Sequence, residues 1–141
     1  MTTPLAVVAE TYFDGEQHFP AGPYTVLVEG GVVAGISQGD FSEALTRRGA
    51  QVTMAGFLMP GLVDAHCHLF LDGAALDGEA RSRHLDLPLD ALAETARRNA
   101  RKAAACGVTL LRDAGDRFGV NHLLRAEAAD CRMHPLVEVR A

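Results

Sequence analysis

The chain has 141 residues, a formal net charge of −5 and a 48% apolar composition. That charge argues against a nucleic-acid or anionic-membrane partner, since both require clustered positive charge, while the apolar share is enough for a genuine core. No apolar run reaches membrane-spanning length. The start, MTTPLAVVAE, has neither the basic residues nor the apolar stretch of a signal peptide, and Cys67, Cys106 and Cys131 fit neither a disulfide framework nor a zinc ribbon, so a cytoplasmic location is expected.

Residues 1–60 read as β structure. LAVVAETYF (5–13) is a strand, followed by a turn-rich connection over 14–23. Residues 24–36 hold two β-branched runs split by Gly30-Gly31, the mark of a hairpin. A polar stretch from Ser37 to Gly49 contains one helical turn in FSEALTRRG, and 50–56 forms a last short strand. This half is expected to be a small sheet or half-sandwich, with few residues to bury both of its faces.

From residue 61 the pattern changes to alternating strand and helix. LVDAHCHL (62–69) is a strand, and 70–84 reads as a long polar loop. Residues 88–106 form the clearest helix, with Leu89, Leu92, Ala93, Ala96, Ala100 and Ala103 on one face. Pro88 suits its first position, and Gly107 suits the residue past its end, where a positive φ is needed. A strand at 108–113, a helix at 119–131 and a strand beginning at 135 complete the chain. Connections this short predict a right-handed parallel β-α-β-α-β arrangement, left with an open edge.

The stretch FLMPGLVDAHCHLF (57–70) sets three polar side chains into a hydrophobic run. Strand alternation places Asp64, His66 and His68 on one face and Val63, Ala65 and Cys67 on the other. Two imidazoles at this spacing bring ring nitrogens within reach of one divalent ion. Asp64 is then a candidate to support the ligands from behind, by orienting an imidazole or fixing the loop. An isolated H-x-H pair is common and carries little weight. A D-x-H-x-H strand entered through Pro-Gly and leading into a βαβ unit is far more specific.

In that context PGLVDAHCHL resembles the first barrel strand of the metal-dependent amidohydrolase superfamily, whose usual form is P-G-[LIF]-[IV]-D-x-H-x-H. VEGGVVAGI (28–36) resembles the N-terminal β-sandwich segment of that superfamily. ACGVTLLRDAGD (105–116) is similar to the second barrel strand of its imidazolonepropionase-like and prolidase-like branch. The resemblance implies an α/β fold: an N-terminal β-sandwich segment (1–60), then the first β-α-β-α-β units of a (β/α)8 TIM-type barrel, incomplete (61–141). It also implies hydrolysis of C–N bonds, amide or cyclic amide, in small molecules through a metal-activated water, with His66 and His68 as metal ligands. Zinc is the commonest metal of that family; the spacing leaves Mn, Fe, Co and Ni open.

The later ligands of that family have no counterpart here. Lys102, the only lysine, lies on the charged face of the long helix, and His84, His122 and His134 match none of the later positions. Asp113, at the end of the second barrel-type strand, is expected to face the barrel mouth. It either touches substrate or braces the site, or it is simply a turn residue before glycine. Two neutral imidazoles fall short of the three protein ligands of a catalytic zinc site. The expectation is therefore the N-terminal portion of a longer hydrolase, inactive alone, whose partner is the missing C-terminal barrel portion or another chain; a homo-oligomer is compatible with it. A stand-alone interaction or metal-binding module, or a non-functional truncated remnant, is the alternative.

Overall fold

β-branched and aromatic residues punctuated by glycine build the first part of the chain. The computed structural model describes residues 3–129 and 138–140 and divides into two units, Met1–Pro60 and Gly61–Ala141. The first unit contains β1 (Leu5–Phe13), β2 (His18–Phe19), β3 (Tyr24–Glu29), β4 (Val32–Gln38), the short helix α1 (Ser42–Arg47) and β5 (Gln51–Leu58). These strands form one five-stranded sheet around β1, which runs antiparallel to β2 and β3 and parallel to β5.

The hairpin between β3 and β4 turns on Gly30 (φ +59°) and Gly31 (φ +83°), the two positive-φ positions of a tight turn whose twist matches the strands. Ala6, Val8, Ala9 and Val26 are buried at the centre, whereas every residue of β4 is exposed. The short β2 lies in the stretch expected to be only a connection. Its Phe19 stacks on Tyr12 with ring centroids 4.4 Å apart, an aromatic contact that holds two residues against β1.

The second unit contains β6 (Leu62–Cys67), α2 (Gly78–Leu85), α3 (Leu89–Ala105), β7 (Val108–Asp113), α4 (Val120–Ala129) and β8 (Glu138–Arg140). The strands are parallel in the order β6-β7-β8. On α3, Leu92, Ala93, Ala96 and Ala100 are buried, on the face marked by their spacing. They join Leu111 of β7, Val120 and Leu124 of α4 and Val139 of β8 in one core. Arg97 of α3 reaches across to α4 and donates to both carboxylate oxygens of Glu127, at 2.9 and 2.6 Å. No helix among the described residues is long and apolar enough to cross a membrane.

Two local expectations are corrected. Residues 70–84 are not all loop, because α2 occupies the end of that stretch. α2 has no buried residue and hence no apolar stripe to reveal it. It is held by its cap, where Asp77 accepts from the Ala80 amide at 2.8 Å, by a Glu79–Arg83 ion pair, and by His84, whose Nε2 donates to the Phe70 carbonyl at 2.7 Å. Pro88 caps α3 from outside rather than occupying its first turn, while Gly107, at φ +86°, follows the C-cap Cys106 as expected. Residues 131, 134 and most of the strand expected from 135 lie outside the described residues.

The entry to β6 depends on the absence of a side chain. A Cβ at Gly61 would overlap the side chain of Thr109 on β7. Gly61→Ala should therefore lower the urea-unfolding stability of the second unit by about 1–3 kcal/mol. Adding Thr109→Ala should recover part of that loss; strictly additive effects would show that the two residues do not meet.

Candidate metal centre

The site begins with an irregularity in β6. Asp64 pairs with Leu111 and Cys67 with Asp113, so three steps on β6 oppose two on β7. Simple alternation therefore does not run through His66, and His68 lies just beyond the strand. Asp64 supports the irregular turn by accepting the His66 backbone N–H at 3.0 Å. This carboxylate thus contacts the His66 main chain, and not an imidazole.

His66 and His68 are both exposed, with ring centroids 5.3 Å apart and planes at 87°. A Zn–N bond of about 2.0–2.1 Å places a ring centroid a little over 3 Å from the ion, so two tetrahedral ligands have centroids roughly 5 Å apart. The observed separation matches that of two ligands of one tetrahedral ion. The pair supplies no more than two, because no group of three or more His, Cys, Asp or Glu among the described residues converges as a metal site.

The remaining polar groups hold the segment that follows β6. His68 Nδ1 lies 2.7 Å from the Gly115 carbonyl. Asp113, only 3% exposed, accepts the Leu69 amide on Oδ2 and the Gly115 amide on Oδ1, both at 3.2 Å. Burial pushes its carboxyl above the usual range; the two amides and nearby His68 oppose that shift, and Asp116 adds to it. Asn99 of α3 donates to the carbonyls of Leu69 and Leu71 at 2.8 and 2.9 Å. Asn99 belongs to no motif, although an asparagine inside a strongly amphipathic helix is a disfavoured choice that signals a specific bond.

Cys67 packs against the core, and its Sγ lies 3.5 Å from the Arg112 carbonyl. Its outward companions differ, since Val63 and Ala65 are exposed on the edge strand. His84 is tied to the Phe70 carbonyl, and Lys102 lies exposed in the last turn of α3. The His122 ring is exposed on α4.

No protein-family model matches the chain, and no curated protein matches it. Solved structures do. A Xaa-Pro dipeptidase with bound methionine in its active site is 19% identical, with a TM-score of 0.70, over 99% of this chain and 33% of its own. Molinate hydrolase is 21% identical with a TM-score of 0.75, over 97% of this chain and 29% of its own. Ochratoxinase from A. niger is 18% identical with a TM-score of 0.74, over 97% and 30%. The chain shares their fold and spans about a third of their length.

Burial, followed by the charges of Asp113 and Asp64, raises the Cys67 thiol to about 11. A two-unit rise leaves about a hundredfold less thiolate at neutral pH than an ordinary thiol has. Peptide mapping after brief alkylation of the metal-free chain near pH 7.5 should find Cys106, which is exposed, modified well ahead of Cys67. The Cys67 rate should climb until about pH 11. Comparable rates at neutral pH would contradict this environment.

Proposed function

We propose that this chain supplies the first two metal ligands, His66 and His68, of an amidohydrolase-type enzyme that hydrolyses C–N bonds in small amide-type substrates. The observation that carries the proposal is the pair of rings 5.3 Å apart at the C-terminal end of a parallel strand. That is the end of a strand at which α/β folds build their sites. The hydrolases that share the fold give this reading its reaction class, and the D-x-H-x-H motif gives it the metal.

A bound divalent ion, zinc first and Mn, Fe, Co or Ni by the same imidazole chemistry, supplies Lewis acidity and an activated water. The chain's own contribution is binding and support. His66 and His68 hold two coordination positions, Asp64 supports the backbone of the first, and Asp113 and Gly115 support the second. The other ligands and the group that accepts the water proton come from a further barrel portion or a partner chain, so the 141 residues alone are inactive in this proposal.

A four-ligand structural zinc site is worth about 10–16 kcal/mol in apparent terms. Half of that set should give about 5–8 kcal/mol, a micromolar to sub-millimolar dissociation constant. Calorimetric titration of the chain with zinc should show one such weak site, lost in both His66→Ala and His68→Ala. Tight nanomolar binding by a monomer would mean that the chain holds a complete site. Binding unaffected by either substitution would remove the two histidines from it.

A further inference from the structure

The hydrogen bond of the His68 ring determines which of its nitrogens carries the lone pair. A carbonyl oxygen only accepts, so the 2.7 Å contact with Gly115 requires the proton to be on Nδ1. A neutral ring protonated there carries its lone pair on Nε2, the one nitrogen left for a metal.

The Gly115 carbonyl is itself held in place. Gly115 sits at φ +135°, a conformation that L side chains rarely adopt. Its amide donates to Oδ1 of Asp113, and Oδ2 accepts the amide of Leu69, which belongs to the peptide bond leaving His68. One carboxylate therefore clamps the peptide that carries the acceptor's residue and the peptide adjoining the ring's own residue. It does so from the end of β7, where it is buried.

We propose that Asp113 is a positioning residue for His68. By holding the Leu69 and Gly115 amides, it sets the Gly115 carbonyl that fixes His68 as the Nδ1–H tautomer with Nε2 directed outward. This rests on the reading of His68 as a metal ligand, but its main signature is present without metal.

The test is nitrogen-15 NMR of the histidine rings in the full metal-free chain, at a pH where they are neutral, followed by zinc addition. Wild-type His68 should show a protonated Nδ1 and a bare Nε2. Asp113→Ala should move His68 toward the Nε2–H form, leave the His66 pattern unchanged, and weaken zinc binding by about 10- to 100-fold. Asp113→Asn, which keeps one acceptor, should fall between. If Asp113→Ala fails to fold, Gly115→Ala, which strains the carbonyl while keeping the carboxylate, should produce the same tautomer change.

A wild-type His68 protonated on Nε2 overturns the proposal, as does an unchanged Nδ1–H tautomer in the folded Asp113 variants. Zinc that leaves both histidine rings unperturbed refutes the ligand reading instead, and the tautomer measurement stands apart from it.

Discussion

Removing the Asp113 carboxylate from water is costly unless its oxygens are hydrogen-bonded. Here each oxygen receives a backbone amide, one from just after β6 and one from just after β7. The ends of two parallel strands are thereby tied to one side chain. The segment it holds leads directly into the core residues Leu69 and Phe70.

That segment is irregular, and irregular backbone is stable in a buried place only if its polar groups are satisfied. They are satisfied in sequence. The His68 carbonyl accepts from Leu71, the Leu69 and Leu71 carbonyls from Asn99, and the Phe70 carbonyl from His84. Residues from α2, α3 and β7 thus converge on the residues that follow the histidine pair. The two rings are exposed, but the backbone that leads away from them is anchored on several sides, the kind of support the proposed metal-binding role calls for.

Periodicity made most of this fold legible. The alanine-rich stripe of α3, the β-branched strands and the glycine turns each report a local preference that tertiary packing reinforced. The hidden parts lacked such a signal. α2 buries nothing, so its polar residues read as loop until Asp77, the Glu79–Arg83 pair and His84 are seen acting together. β2 is two residues long and rests on ring contacts, Phe19 with Tyr12 and Tyr24 and His18 with Phe57. Within the candidate site, D-x-H-x-H marks the two histidines, but strict alternation misplaced their surroundings. The extra residue between Asp64 and Cys67 belongs to the pairing with β7, which no property of β6 alone reveals. The Gly115 carbonyl was equally invisible, since a backbone acceptor carries no residue-type signature.

His66 and His68 are proposed to bind one metal ion together. Anomalous diffraction from zinc-soaked crystals at the metal absorption edge tests it most directly. An ion shared by the two rings gives a peak at bonding distance, about 2.0–2.1 Å, from Nε2 of His68 and from a ring nitrogen of His66. A peak confined to other side chains, or one that engages His68 through Nδ1 after displacing the Gly115 carbonyl, would contradict it.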